Sequence, residues 1–590
     1  MMKKKLLVAI ALGFLGFESA VAQDATTGMK FLDAEQYGKA KEVFEQLANS
    51  TPTAENQFNL GYFFLKTKQP DLAKTAFEKG AGLDPKDNLN KVGLGAVALA
   101  KGDRATAKLI IDEALKASKN KNVKVLTRAG EAYTGYFNLA DSKTLYPTTD
   151  PAEAVRILSL AVALDKNNAD AYSALGDAFY LKGESGPAVS KYEDVLRIDP
   201  TNAKASTRIA KIYWGGKNLV LAQDNFKKAI ADNPEFAPEY REYSDLFFYG
   251  RQYKNASKNF DLYLEKSGST DTEDILRGAQ LNFLADEFGK VLDKLKLLEG
   301  RPRVPIMDRM EGWSNFKQNN YDKAVSNLER FLASYDKSKH RPEDYKFLGQ
   351  SHLRLAVPDT AKAVMNLEKA AEIDTIENGY KEIAAFWQSA RKYDKAAENW
   401  EKAITRDKKP LSNDIFAYGQ ALYAYANGIK VLPGPDSLAN RQMKRDIFLK
   451  ADAQFDRFNK FREEKGEAPF LAAYSSRARA NYFAYSREEF LENALALPHF
   501  QKYIEMAEKE GKEKNKVTLI FSYKVMGGYY AASKMKDDVK AKEYFGKVLE
   551  LDPNDQVAKD FLTPPAPPVA APTPKVPGKA VPKTPGKKAK

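Results

Sequence analysis

The chain has 590 residues, of which 43% are hydrophobic, 11% aromatic and 29% charged. This composition provides enough apolar surface for an extensive core and enough charge to cover it, which excludes a wholly disordered chain. The chain contains no cysteine, which excludes disulfide bonds, a lipid-modified cysteine, a thiol nucleophile and thiolate metal ligands.

The formal net charge of +13 overstates how basic the folded part is. Segment 1–22 carries three lysines and one glutamate, and segment 563–590 carries six lysines and no acid. Residues 23–562 therefore have a net charge of +5, which is typical of a solvated helical surface. A nucleic-acid partner is not expected.

Residues 1–22 have the pattern of a secretory signal peptide. A basic start is followed by an apolar run over 6–17 and by the small-residue cleavage pattern Ala20-Val21-Ala22. The apolar run is too short to span a bilayer. We therefore expect an exported mature protein that begins near Gln23 and has no transmembrane span. A large exported chain without disulfide bonds fits the bacterial periplasm best.

A small residue followed four and seven positions later by apolar or small residues recurs along the chain. This spacing marks one face of an α-helix, and the leading small residue allows another helix to approach closely. We name this predicted element helix B. Its first copies are Ala40/Phe44/Leu47, Ala73/Phe77/Gly80, Ala107/Ile111/Ala114, Ala154/Leu158/Ala161, Ala188/Tyr192/Val195, Ala222/Phe226/Ala229 and Ala256/Phe260/Tyr263. They start 33, 34, 47, 34, 34 and 34 residues apart, which identifies an internal repeat.

A second amphipathic stretch, helix A, precedes helix B in each repeat. It is marked by the pairs Leu60-Gly61, Leu94-Gly95, Leu175-Gly176 and Ile209-Ala210. The small residue of each pair lets helices A and B of one hairpin pack closely. Several hairpins end at a proline, because proline lacks an amide donor and disfavours helix in the residue before it. These prolines are Pro85, Pro200, Pro234 and Pro553.

The paired helices resemble tetratricopeptide repeats, which carry a leucine–glycine pair in the first helix, an alanine and an aromatic residue in the second, and a closing proline. Segment 169–200, ADAYSALGDAFYLKGESGPAVSKYEDVLRIDP, has nearly all of these residues. The resemblance covers about nine-tenths of the mature chain. It implies an all-α fold, a right-handed superhelical solenoid of about 14 hairpins with a disordered C-terminal tail.

Later hairpins follow a looser spacing. Their B faces are Val291/Leu295/Leu298, Ala324/Leu328/Phe331, Ala363/Leu367/Ala370, Ala396/Trp400/Ala403, Ala451/Phe455/Phe458, Ala496/Phe500/Tyr503 and Ala541/Phe545/Val548. The last three steps lengthen to 55, 45 and 45 residues, which predicts added helix or loop. The predicted segments are a signal peptide (1–22), an N-terminal array (23–270), a central array (271–410), a longer-helix array with a capping helix at 554–562 (411–562), and a tail (563–590).

Two insertions interrupt the repeat, at 136–150 and at 428–445. Each is either a tolerated loop at a hairpin tip or a functional loop.

The tail, 563–590, contains nine prolines and no aromatic residue. It cannot build a core, so we expect it to be extended and disordered. Its role is either that of a spacer or that of a basic arm that contacts an anionic surface such as the cell wall or lipid headgroups.

The sequence offers no catalytic or cofactor-binding motif. His340, His352 and His499 lack the spacing of metal ligands on a helix; we expect the first two near the surface or loops and the third on a helix B. The run Gly93-Leu94-Gly95 fits a loose dinucleotide-binding pattern, but its glycines occupy the leucine–glycine position of a helix A instead of a strand-to-helix turn. We expect no enzymatic activity, no cofactor and no metal.

In a solenoid of stacked hairpins, A helices line a concave groove. The residue four positions after the small residue of helix A is expected to face this groove, and it is aromatic in three consecutive hairpins. Aromatic and arginine side chains contribute most of the binding energy at protein interfaces. The predicted partner-binding residues are Tyr62, Tyr180, Lys204, Lys211, Trp214, Arg241, Phe248, Trp313 and Phe316. The alternative is that these rings only pack against neighbouring hairpins.

The family resemblance implies a protein that binds other macromolecules. Chaperone-binding relatives use lysine and asparagine after the glycine of helix A, whereas this chain has Asp177 and Lys211 there; we therefore do not expect recognition of a peptide tail ending in aspartate. The first hypothesis is a periplasmic scaffold or adaptor for envelope proteins, associated with the outer membrane through its partners. The second is a module that binds glycan or peptidoglycan through groove aromatics and the basic tail.

Overall fold

The computed structural model describes residues 24–136, 146–435 and 437–563. Over these ranges the chain forms thirty α-helices and one 3-10 turn at Lys337–Lys339, with no strand. None of the helices in these ranges combines the length and apolar composition needed to cross a bilayer. The predicted signal peptide, most of the first insertion and the tail after Thr563 lie outside the described residues.

Contacts divide the chain into two compact units, Met1–Ser338 and Lys339–Lys590. The described residues of the first unit form nine hairpins of consecutive helices. Hairpins 1 to 5 are α1 (Ala25–Asp33) with α2 (Tyr37–Ser50), α3 (Ala54–Lys66) with α4 (Pro70–Leu83), α5 (Asn88–Ala100) with α6 (Arg104–Ala117), α7 (Val123–Tyr133) with α8 (Pro151–Leu164), and α9 (Ala169–Leu181) with α10 (Ser185–Ile198). Hairpins 6 to 9 are α11 (Ala203–Gly215) with α12 (Leu219–Asp232), α13 (Ala237–Tyr249) with α14 (Tyr253–Ser267), α15 (Thr272–Leu284) with α16 (Phe288–Lys296), and α17 (Pro305–Lys317) with α18 (Tyr321–Ser334).

The described residues of the second unit form five more hairpins and a final short helix. Hairpins 10 to 12 are α19 (Pro342–Leu353) with α20 (Thr360–Ile373), α21 (Tyr380–Ser389) with α22 (Tyr393–Arg406), and α23 (Ser412–Gly428) with α24 (Ser437–Glu464). Hairpin 13 pairs α25 (Leu471–Phe483) with α27 (Leu497–Glu510) around the short α26 (Arg487–Asn493), and hairpin 14 pairs α28 (Lys516–Ala532) with α29 (Asp538–Leu551) before α30 (Gln556–Leu562). The predicted all-α array of about 14 hairpins is confirmed. The boundaries predicted at 270 and 410 stay predictions.

Close packing within each hairpin follows from the predicted small residues. The residues of the first seven B faces are buried, apart from the half-buried Leu47; Ala73 and Phe77, for example, are both 0% exposed. A methyl group on Gly61 would lie 2.5 Å from the Phe77 ring, and one on Gly176 would lie 2.5 Å from the Tyr192 ring. Glycine is therefore required where the aromatic side chain of the second helix presses against the first.

The turn between the two helices of a hairpin has one repeated geometry. Its central residue adopts positive φ, and the next backbone N–H donates to the carbonyl five residues earlier, as Gln36 does to Phe31 at 2.9 Å and Gln69 to Phe64 at 2.8 Å. This arrangement satisfies the last carbonyls of the first helix within a short turn. Most of the positive-φ residues are not glycine: Glu35, Lys68, Lys217, Arg251, Asp286, Asn319 and Arg391. Six of these seven side chains are exposed at their hairpin tips, whereas Glu35 is buried.

The described ends of the first insertion pack into the first unit. The Tyr146 hydroxyl donates to the Leu65 carbonyl at 2.9 Å, and the Thr148 hydroxyl donates to the Leu99 carbonyl. In the second insertion, residues 429–435 form a loop, and residues 437–445 belong to the 28-residue helix α24. The roles of both insertions stay open.

One histidine prediction holds only in part. His352 lies next to a loop, one residue before the end of α19, as one of the two predicted alternatives has it, but it is only 2% exposed and therefore not at the surface. It lies three residues after Gly349, whose added methyl group would contact Leu367 of α20, so it shares the face that packs inside hairpin 10. His499 lies on α27, and the glycines at 93 and 95 lie inside α5 as predicted.

Candidate functional site

First helices of five hairpins surround a cavity of about 360 Å³ in the first unit. Its lining comes mainly from α1, α3, α7, α9 and α11, with Val195 of the second helix α10, and includes Met29, Asn59, Tyr62, Arg128, Ser173 and Lys204. These helices belong to hairpins 1, 2, 4, 5 and 6. The first-helix side of this unit therefore curves around a common space, as expected of the groove.

Hairpin 1 closes onto hairpins 6 and 7 across this side. The Arg241 guanidinium donates to both carboxylate oxygens of Glu35, at 2.7 and 2.8 Å, and Lys204 Nζ donates to Asp33 Oδ1 at 2.6 Å. Gln36 Nε2 lies 3.4 Å from the Glu235 carbonyl oxygen. We call this set of contacts, in which turn 33–36 meets Lys204, Glu235 and Arg241, the clasp.

A second charged cluster lies deeper on the same side. The Tyr62 hydroxyl donates to Glu131 Oε1 at 2.5 Å, and Arg128 donates to Glu131 Oε2 at 2.7 Å while its guanidinium carbon lies 4.6 Å from the Tyr62 ring centre. Burial opposes ionisation of Glu131, but the positive charges of Arg128 and Lys66 outweigh it and lower the pKa of Glu131. Burial also raises the pKa of the Tyr62 phenol well above its ordinary value. Tyr62 is therefore a buried structural hydrogen-bond donor in this structure.

Lys211 is buried as well. It forms an ion pair with Glu242 of the next first helix, and both side chains are almost completely buried. Burial raises the pKa of Glu242 to about 7, although Lys211 and Arg241 act against this shift. The three predicted cations Lys204, Lys211 and Arg241 thus all pair with acidic residues of the same chain.

The predicted aromatic row lies near the C-terminal ends of the first helices α9, α11, α13 and α17. Tyr180, Trp214, Phe248, Trp313 and Phe316 are each half-buried. Several of these rings contact other aromatic rings. The distance between ring centres is 5.6 Å for Trp214 and Tyr249, 5.4 Å for Trp313 and Phe283, and 6.0 Å for Phe316 and Tyr321. The Arg277 guanidinium lies 4.3 Å from the Phe248 ring centre. Trp214, Phe248 and Trp313 therefore combine packing against a neighbouring hairpin with a partly exposed face, whereas Phe316 packs within hairpin 9.

Sequence reasoning missed three residues of this side. Asp33 and Glu35 were absent from the prediction because their contacts cross 171 and 206 residues of chain. Tyr249 is 71% exposed beside Trp214. Its position directly after Phe248, in the last turn of α13, was the available signal.

The candidate site lies on the first-helix side of the first unit. Among the described residues, no group of three His, Cys, Asp or Glu side chains is placed to hold a metal ion. Its features are an aromatic row, a polar cavity and a self-closing clasp.

Models of the tetratricopeptide repeat family match residues 54–87 and 530–555, residues 144–203, and residues 310–338. Among solved structures, the C-terminal part of a TPR repeat-containing protein from Cytophaga hutchinsonii is 22% identical, with 48% of this chain and 98% of that chain covered and a TM-score of 0.31. A thermophilic TPR protein from Thermus thermophilus is 20% identical, with 33% and 99% covered and a TM-score of 0.27. At these values the two structures carry no inference about function.

Proposed function

Because this chain belongs to the tetratricopeptide repeat family, we propose that it is a non-enzymatic scaffold that holds protein partners together in the bacterial cell envelope. Stacked helical hairpins of this kind present long continuous surfaces to other macromolecules. Partners bind along the first-helix side of the N-terminal unit, where the aromatic row and the cavity lie.

The observation that carries this proposal is the aromatic row. Trp214, Phe248 and Tyr249 come from two neighbouring first helices, and Tyr249 is the most exposed of the three. Aromatic rings that are already ordered by their neighbours lose little conformational freedom on binding, so they are efficient anchors for a protein partner. Arg277, stacked on Phe248, adds a charged group at the edge of the same patch.

The envelope location rests on sequence alone. The signal-peptide pattern at 1–22 supports export, and the absence of cysteine supports a periplasmic destination. The basic, proline-rich tail at 563–590 would serve as a tether or as an arm on an anionic surface.

The test compares two double variants of the tagged full-length protein in intact cells. Trp214→Ala with Phe248→Ala removes two anchors, whereas Leu109→Ala with Val220→Ala removes two exposed apolar side chains on the second helices α6 and α12. Crosslinking followed by mass spectrometry should show loss of the captured partners only for the first variant, at unchanged helicity by circular dichroism. Equal capture by both variants would remove the aromatic row from the proposal.

Purified cell wall provides the second arm of this test. Sedimentation with cell wall that depends on Trp214 and Phe248, together with an absence of captured protein, would replace the scaffold with a glycan-binding module. Sedimentation that depends only on residues 563–590 would assign the wall contact to the tail.

A further inference from the structure

The clasp is a contact between a hairpin turn and a receptor formed by two other hairpins. The turn, 33–36, supplies the carboxylates of Asp33 and Glu35, while Lys204 of α11 and Arg241 of α13 supply the cations. The Arg241 and Glu35 side chains are 12% and 8% exposed, and the Lys204 and Asp33 side chains are 27% and 48% exposed. One ion pair is therefore buried, and the other lies at the solvent edge.

The receptor is held in shape by residues that do not belong to the turn. The Arg241 guanidinium donates to the Tyr263 hydroxyl at 3.0 Å, and its central carbon lies 4.9 Å from the Tyr263 ring centre. The Tyr263 hydroxyl in turn donates to Asp274 at 2.9 Å. The planar fork of Arg241 is thus fixed in an orientation that matches a carboxylate through two parallel hydrogen bonds. Such a preformed receptor has little ordering cost when it binds an acid.

Apolar packing contributes little to the clasp. The only apolar side chain of turn 33–36 is the methyl group of Ala34, which packs with Ala203, Ala229 and Phe236. The remaining contacts are charged or polar. When such a pair separates, hydration of the two groups offsets most of the interaction energy that is lost. Hairpin 1 is held mainly by its own core against hairpin 2, where Leu32, Ala40 and Phe44 join Phe63. Turn 33–36 is therefore in a position to leave the receptor without loss of that core.

We propose that turn 33–36 is a built-in ligand, and that an acidic segment of a protein partner, with carboxylates two residues apart, binds Lys204 and Arg241 in its place. Asp33 lines the cavity together with Met29 and Leu32 of α1. Displacement of the turn opens that wall of the cavity to the same partner. The identity of the partner rests on the proposed function, whereas the exchange of ligands at the receptor does not.

The experiment uses a fluorescein-labelled peptide of residues 31–38, Phe-Leu-Asp-Ala-Glu-Gln-Tyr-Gly, and the full-length protein. Fluorescence anisotropy measures the affinity of this peptide for three proteins. They are the wild type, the double variant Asp33→Asn with Glu35→Gln, in which the turn is released, and the triple variant that also carries Arg241→Gln. Because the wild-type receptor is occupied, releasing its own turn should raise the affinity about tenfold or more. Adding Arg241→Gln should abolish binding.

Two controls make the result specific. The peptide with asparagine and glutamine in place of its two acids should not bind, and Arg251→Gln, which changes an exposed arginine of the same hairpin, should leave binding intact. Circular dichroism verifies that each variant is folded. An affinity that is the same with and without the native turn, or that survives Arg241→Gln, would overturn the proposal.

Partner capture separates this inference from the proposed function. If the peptide exchanges as expected but no partner is captured in cells, the scaffold function fails and the receptor stands. If partners are captured equally by the wild type, the released-turn variant and the Arg241→Gln variant, the clasp has no part in partner binding and its role as a partner receptor is overturned.

Discussion

Arg208 donates hydrogen bonds of 2.6 Å to both carboxylate oxygens of Asp177, thirty-one residues earlier in the chain. The pair has nearly the same burial as Arg241 and Glu35, with side chains 10% and 12% exposed. The difference lies in the backbone. Asp177 and Arg208 lie on the stacked helices α9 and α11, which cannot separate without breaking the core, whereas Glu35 lies on the turn of hairpin 1.

The two arginines should therefore respond differently to removal. Arg208→Gln leaves the buried Asp177 carboxylate without its cation, with only the hydrogen bond from the Tyr192 hydroxyl, which costs about 3–5 kcal/mol of stability. Arg241→Gln should cost much less, because Glu35 regains water when its turn moves away. Hydrogen–deuterium exchange with peptide resolution should show faster exchange in α9 and α11 for the first variant and only around α1 and α2 for the second. Matching exchange patterns would show that the clasp is as rigid as the interior.

Replacement of a glycine in the first helix should destabilise the protein only where a side chain of the second helix contacts that glycine closely. Gly61→Ala places a methyl group 2.5 Å from the Phe77 ring, so we expect a loss of about 1–3 kcal/mol through overpacking. Gly82→Ala, in α4 of the same hairpin, meets nothing within 4 Å and should gain up to about 1 kcal/mol from helix propensity. Urea unfolding followed by circular dichroism measures both; a stable Gly61→Ala protein would contradict the packing.

Glu239 should make the stability of the first unit depend on pH. Its side chain is 0% exposed, and neither carboxyl oxygen has a hydrogen-bond partner among the described residues. Burial, assisted by the charge of Asp232, raises the pKa of Glu239 from 4.5 to about 9. Between these values the folded protein holds a proton that the unfolded chain has released, so stability falls as pH rises through the window.

Glu239→Gln removes this titration. The stability advantage of the variant over the wild type should therefore grow from pH 5 to pH 9, by at most about 1.4 kcal/mol per pH unit. Thermal unfolding at pH 5, 7 and 9 measures it, with Glu42→Gln, an exposed position on α2, as the control. Parallel pH curves for the wild type and Glu239→Gln would show that the carboxyl group is hydrated in solution.

We expect α30, the last helix of the described residues, to cover the apolar side of hairpin 14. The Phe561 ring of α30 lies 4.6 Å from the Phe545 ring of α29, and the last hairpin of a solenoid needs cover for its apolar side. Phe561→Ala should cost about 1–3 kcal/mol locally and speed hydrogen exchange in α29 and α30. Unchanged exchange in α29 would show that the cover is dispensable.

The sequence predicts what depends on neighbouring residues. Ala73, Phe77 and Gly61 lie in one hairpin, and their spacing was enough to place two helices and their shared core. The lengthened steps near the C-terminus likewise pointed to extra chain, which the structure places in α24 and in α26.

What the sequence could not predict arises from curvature. The meeting of Glu35 with Arg241 depends on small rotations summed over six hairpins, and no local pattern records that sum. Lys204 and Lys211 were predicted to be available to a partner. The acidic residues that pair with them, Asp33 and Glu242, lie in other hairpins, so the local sequence did not reveal these ion pairs. Burial of His352 was missed because its face of α19 is set by Gly349, and that hairpin was predicted from its second helix alone.

The clasp also limits how this gene can change in length. Gain or loss of one hairpin between the first and the seventh would shift Glu35 relative to Arg241 by one full repeat. The ion pair between these two residues could then not form. Duplication and deletion, the usual route by which repeat proteins grow and shrink, are thus penalised inside this stretch and are free of that penalty beyond it.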